Sequence, residues 1–154
     1  MRFSLRVWLT LGFVMALIGL FACVSAPRAR PDIEAEAKAF TVPPGKAKLY
    51  VVRPSSFGLA VLYQVSIDGR IIGSLPAEAF LATVLPPGSH TVSLFNATSQ
   101  ENITLMCGPD KACFVRAGMR PTATSNRARL IEISEEEGRT LVRTNTMIET
   151  MSPP

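Results

Sequence analysis

The chain has one histidine, two tyrosines and three cysteines among its 154 residues. A zinc site wants four ligands, and a single histidine leaves that set short. The two downstream cysteines, Cys107 and Cys113, have five residues between them, not the two of a redox-active pair. There is no Gly-x-Ser-x-Gly elbow, no phosphate loop and no dinucleotide fingerprint. His90 follows a Pro-Pro-Gly turn at the start of an apolar run, beside Ser89. It reads as a strand-end polar residue, not as the base of a Ser–His–acid set. Glu135, Glu136 and Glu137 read as helix capping in preference to a glycosidase carboxylate pair. No catalytic residue, cofactor site or metal site is therefore expected.

A concentrated excess of one charge is missing too. Residues 1–22 hold Arg2 and Arg6 and no acidic residue. Without them, 14 basic residues face 12 acidic ones, and the formal charge falls from +4 to +2. The basic residues from Lys111 to Arg143 are interleaved with Glu132 and Glu135–Glu137, as on a solvated face. A nucleic-acid partner needs a concentrated basic patch, and none is expected.

The longest apolar run, Val7 to Phe21, has 15 residues. Spanning a bilayer takes about 20. Behind Arg2 and Arg6 the run reads as a secretory signal peptide over residues 1–22. Two cleavage sites compete. Val24-Ser25-Ala26 ends in a small residue, but Pro27 follows, and its locked φ and missing N–H suit a protease substrate poorly. The other site is Leu20-Phe21-Ala22-Cys23. It resembles the lipobox of bacterial lipoproteins, with Phe21 in place of the usual small residue at the middle position. The resemblance implies diacylglycerol on the Cys23 thiol, cleavage before Cys23 and acylation of the new amino group. Two or more acyl chains hold a protein stably on a membrane, at about 0.8 kcal/mol per buried CH₂. Val24 is not the aspartate that the lipoprotein sorting pattern associates with inner-membrane retention. The expected address is the bacterial cell envelope, on the outer membrane and facing the periplasm.

Residues 23–46 follow as the lipidated cysteine and a tether. Pro27, Pro31, Pro43 and Pro44 punctuate this stretch, and the Ala- and charge-rich Glu34–Lys38 allows one short helical turn. Strand signals begin at Ala47. "KLYVVR" is rich in β-formers and stops at Pro54. In "VLYQVSI", Val61, Tyr63, Val65 and Ile67 alternate with Leu62, Gln64 and Ser66, the period of a half-buried strand. Asp68-Gly69 then joins it to "RIIGSL" as a two-residue hairpin. "FLATVL", Pro86-Pro87-Gly88 and "SHTVSLF" read as a second hairpin with a longer turn. "NITLM", "CFVRAGM" and "RLIEI" complete the series. Strands every ten residues or so indicate an all-β, or β-rich, small antiparallel sandwich or barrel-like domain over 47–148. Ser134 and Glu137 have capping-box spacing, predicting one short C-terminal helix near 135–143 despite Gly138. Residues 149–154 read as a disordered tail.

Three stretches, "AKLYVVRPSSFGLAVLYQVSIDGRIIGSL", "LPPGSHTVSL" and "EEEGRTLV", resemble the bacterial domain-of-unknown-function family 2846. Tyr50, Arg53, Pro54, Ser55, Ser56, Tyr63, Asp68, Gly69, Pro86, Pro87, Gly88, His90 and Thr91 fit its layout, while Ser89 replaces the usual lysine. The resemblance covers residues 38 to about 143. It implies a small β-rich domain in an envelope lipoprotein and brings no catalytic residues.

Cys107-Gly-Pro-Asp-Lys-Ala-Cys113 carries turn chemistry. With Cys23 lipidated and the compartment oxidising, Cys107 and Cys113 are expected to pair across a hairpin. The candidate binding surface is the corner Arg53, Ser55, Ser56 and Phe57, with Tyr63 nearby; loops on rigid sheets often bind. The alternative is a structural corner in which Arg53 pairs locally and Phe57 packs. Two functions follow. One is a non-catalytic module, held to the membrane by its lipid, that binds another envelope protein. The other is a small-ligand or glycan-binding lipoprotein, with Tyr50, Tyr63, Phe57 and Arg53 lining a shallow site.

Overall fold

The computed structural model describes residues 26–121 and 126–151. The leader, Cys23 and the last three residues lie outside the described residues.

Two sheets pack face to face. The first has the order β8 (Asn126–Ile133), β7 (Lys111–Pro121), β1 (Ala47–Arg53), β4 (Ala79–Leu85) and β9 (Thr146–Met147). The second has the order β3 (Arg70–Leu75), β2 (Tyr63–Ile67), β5 (Gly88–Phe95) and β6 (Gln100–Cys107). Helices α1 (Pro31–Lys38) and α2 (Glu135–Thr144) accompany them. The β-rich sandwich expected from strand spacing is the observed class. All seven residues of β1 are buried because both its faces are covered. Leu49 and Val51 join the core between the sheets, and Tyr50 and Val52 join a second core with Ala37 of α1 and Val142 of α2. A strand covered on both sides reads as an unbroken apolar run, as Leu49–Val52 does within "KLYVVR".

Four expectations need correction. The second sheet is antiparallel throughout, but in the first sheet β1 pairs with β7, and β4 with β9, in parallel. β4 and β5 do not form a hairpin, because they belong to different sheets. Pro86 and Pro87 have no N–H to give a ladder, so they suit a corner where the chain changes sheets. Cys107 and Cys113 do form a disulfide, with Cα atoms 5.9 Å apart. However, it closes another change of sheet, from β6 to β7, and not a hairpin. On chain entropy a loop this short contributes about 2 kcal/mol. The Asp68-Gly69 turn is as expected: Ile67 pairs with Arg70, and both turn residues have positive φ, 50° and 82°.

The fourth correction concerns the segment read as a tether. From Ala26 onward it is part of the domain. Pro31 opens α1, where its fixed φ is favourable. Ala37 and Phe40 are buried. The Tyr50 hydroxyl donates to the Ala37 carbonyl at 2.7 Å, and the Phe40 ring lies 5.5 Å from that of Tyr50. The C-terminal segment is tied in as well. The Ala29 N–H donates to Met147 O, Glu149 N–H to Pro27 O and Met151 N–H to Ile72 O. The two ends of the described chain thus hold each other against the sandwich.

The expected C-terminal helix forms. Ser134 Oγ accepts from the Glu137 N–H at 3.2 Å, which satisfies one orphan donor of the first turn. The Glu137 carboxylate accepts from Arg116 at 2.8 Å, fixing the helix to β7. Gly138 is buried against Phe114, and a Cβ there would fall 2.2 Å from the ring. Helix propensity favours alanine over glycine by about 1 kcal/mol, but overpacking costs about 1–3 kcal/mol. Gly138→Ala is therefore expected to destabilise the domain in urea titration. A gain in stability would mean that α2 does not close on the sheet.

Candidate functional site

The β1–β2 connection, residues 54–62, crosses from one sheet to the other at one end of the sandwich. Arg53 ends β1 on the inner face and is 1% exposed. Its guanidinium donates to Val61 O at 2.6 Å, Gly58 O at 2.9 Å, and Leu75 O and Phe57 O at 3.3 Å. It also lies 5.1 Å from the centre of the Tyr63 ring. Burial pulls the Arg53 guanidinium below its ordinary value, opposed by Tyr63. Tyr63 is itself fully buried; burial pushes its phenol up, opposed by Arg53. Arg53 and Tyr63 therefore leave the list of surface residues. A planar fork with five donors suits a cluster of carbonyls at the mouth of a loop. The structural reading of this corner accounts for both residues.

Ser55, Ser56 and Phe57 remain outside. Ser55 Oγ accepts from the Phe57 N–H at 3.1 Å, a local turn bond. Phe57 is 56% exposed and Leu59 67%. Clefts flank the loop on two sides. One, of about 290 Å³, is lined by Pro54, Phe57, Arg116, Met119 and Arg129. The other, of about 720 Å³, is lined by Ala26, Arg28, Pro54, Leu59, Glu78 and Asn145, among others. Tyr50, expected beside Phe57, lies instead in the core beneath the helices.

At the far end of β2 a second cluster gathers residues that the sequence spaces far apart. His90 Nδ1 lies 2.7 Å from Asp68 Oδ2, and Nε2 lies 2.8 Å from Pro86 O. Asp68 Oδ1 accepts from the Thr91 N–H at 2.8 Å. Both ring nitrogens of His90 face acceptors, which only the doubly protonated imidazolium can satisfy. Burial of the ring opposes that charge, but the bonds to Asp68 and Pro86 outweigh it and raise the His90 pKa. Asp68 is held below its ordinary value, chiefly by the bond to His90. The cluster ties the β2–β3 turn to the start of β5. His90 is thus a fastening, in keeping with its reading as a strand-end residue. Its pairing with Asp68 carried no signal in the sequence, since neither residue's spacing names the other.

The pH dependence follows. A raised His90 pKa gives stability that is complete below the unfolded value of about 6.5 and is lost as pH rises through the folded value. A lowered Asp68 pKa gives stability present above about pH 4 and lost as pH falls through the folded value. The pair fastens best between these limits. His90→Asn should flatten the decline in melting temperature on the alkaline side. An unchanged alkaline slope would assign it to other groups.

Among the described residues, no cluster of three or more His, Cys, Asp or Glu is placed to hold a metal ion. No described helix is long and apolar enough to cross a membrane. No protein-family model matches the chain. An uncharacterized protein of Haemophilus influenzae is 29% identical over 121 residues, which cover 78% of this chain and 72% of that relative.

Proposed function

We propose that the protein is a lipid-anchored component of the bacterial cell envelope that works by binding a protein partner and not by catalysis. The observation that carries this reading is how the chemistry-bearing side chains are used. Arg53 is occupied by loop carbonyls, both His90 nitrogens are bonded, and Cys107 and Cys113 are joined to each other. The lipobox resemblance at Leu20–Cys23 and the likeness to family 2846 support the anchor and the envelope address. Val24 favours the outer membrane, facing the periplasm.

A groove of about 310 Å³ beside β3, lined by Ile71, Val84, Pro86 and Met151, offers such a partner apolar contacts next to a sheet edge. Addition of a strand to an exposed edge is a common mode of protein binding. The small-ligand or glycan reading has in its favour the cleft of about 720 Å³, a size that suits a small ligand. Against it, Tyr50 and Tyr63, which were to line the site, are buried elsewhere.

Intact mass of the mature protein tests the anchor. The expected species begins at Cys23, carries a diacylglyceryl group and an N-acyl chain, and contains the disulfide. Cys23→Ser should leave the leader uncut or free the protein from membranes. A Cys23→Ser protein that matured and sedimented as before would sink the proposal. Crosslinking in intact cells tests the partner, and failure to recover any reproducible protein would count against binding.

A further inference from the structure

We infer that the β1–β2 loop rests on the phospholipid surface, with Phe57 and Leu59 as its contact side chains. This rests on the lipid-anchored reading and adds an orientation to it. Ala26 is packed into the core between the sheets, beside Ile148. Only Val24 and Ser25 separate it from Cys23. A chain advances at most about 3.6 Å per residue, so Ala26 lies within roughly 11 Å of the acylated cysteine. That distance is comparable to the depth of the headgroup region, which adds about 5–8 Å to each side of the hydrocarbon. With acyl chains on Cys23, the domain has no length of chain on which to stand off. Whatever surrounds Ala26 meets lipid.

Leu59 lines the same cleft as Ala26. Leu59 and Phe57 are among the most exposed large apolar side chains of the described residues. They sit on a loop whose backbone is fixed from inside. The Arg53 guanidinium holds the carbonyls of Phe57, Gly58 and Val61. The fixed backbone presents two apolar side chains outward at little further entropic cost. The clefts on either side of the loop carry Arg28, Arg116 and Arg129 against a single carboxylate, Glu78. Arg116 is paired with Glu137, while Arg28 and Arg129 have no ion pair among the described residues. An apolar tip beside unpaired arginines matches an interface of acyl chains and anionic headgroups.

The chain's single tryptophan, Trp8, lies in the leader, so the mature protein supplies no indole background. Phe57→Trp places one at the loop, and Leu59→Trp is the second choice should the first fail to fold. Met106→Trp places one at the opposite end of the sandwich, at a position 70% exposed. Each acylated variant is reconstituted in vesicles of phosphatidylethanolamine and phosphatidylglycerol with brominated acyl chains. Emission from position 57 or 59 should shift to the blue and be quenched, while emission from 106 stays that of exposed indole. Acylated, vesicle-bound protein with no quenching at 57 and 59 overturns this orientation alone and leaves the loop to a protein partner. Equal quenching at 106 also overturns it. Protein recovered without acyl chains overturns the anchored reading, and the orientation with it.

Discussion

Arg53→Met is expected to lower the unfolding free energy by about 3–5 kcal/mol, a large share of the roughly 5–15 kcal/mol that holds such a domain together. The side chain is 1% exposed and donates to four backbone carbonyls from three separate stretches: Phe57 and Gly58, Val61, and Leu75. Methionine fills much of the same volume over the Tyr63 ring, so the loss isolates the hydrogen bonds. Hydrogen bonds to a charged donor contribute about 1.5–3 kcal/mol each, and the carbonyls at 2.6 and 2.9 Å stand to lose the most. The looser bonds at 3.3 Å add less, and carbonyls at the loop mouth regain some water. Arg53→Lys should recover only part of the loss, because one ammonium cannot reach carbonyls spread along a planar fork. Urea denaturation followed by circular dichroism measures both. A loss below about 1 kcal/mol for the methionine variant would show that water replaces the guanidinium, and that the loop is not held from within.

The same residue shows where the sequence could be read and where it could not. "YVVRPSS" announces a strand that ends at a proline, and β1 does end at Arg53. Nothing local shows that the strand's last side chain turns into the sandwich, because an arginine after an apolar run is normally its solvated end. The strands and the Asp68-Gly69 hairpin were legible because period 2 and turn chemistry are local. Sheet membership was not. Pro86-Pro87-Gly88 has the composition of a hairpin turn, yet the chain changes sheets there, and only the partners of β4 and β5 reveal it. The parallel pairing of β1 with β7 joins residues over sixty positions apart. The Asp68–His90 fastening is likewise visible only in three dimensions. The corner was legible as a place of interest, but its parts have opposite fates: Arg53 and Tyr63 inside, Ser55, Ser56 and Phe57 outside.

Tyr50→Ala is expected to cost about 3–5 kcal/mol and to do so unevenly, loosening the N-terminal segment more than the sandwich. Tyr50 is fully buried on the outer face of β1. It stacks on Phe114 at 4.9 Å, meets Phe40 at 5.5 Å and donates to Ala37 O at 2.7 Å. Burial holds its phenol far above the ordinary value, so it remains a donor across the working pH range. These contacts seat α1, a helix of eight residues, too short to persist in water without a surface to pack on. Proline-rich flanks and an Ala-rich centre made residues 26–46 look like a spacer because helix propensity is local, whereas the stabilising contacts come from Tyr50 and Phe114. Tyr50→Phe separates the contributions. It keeps the ring stack and loses one buried hydrogen bond, for about 1 kcal/mol. Hydrogen exchange read along the chain decides the matter. In Tyr50→Ala the amides of residues 33–40 should exchange far faster than in the parent, while those of β2 and β5 keep most of their protection. Equal loss of protection everywhere would mean that α1 and the sandwich unfold as one unit. If α1 alone is released, Ala26 still sits in the core between the sheets, so the reach from Cys23 to the domain is unchanged. An acylated Tyr50→Ala protein should then stay close to the bilayer, and the indole of an added Phe57→Trp should keep its quenching by brominated lipid, because the core that holds Ala26 does not include Tyr50.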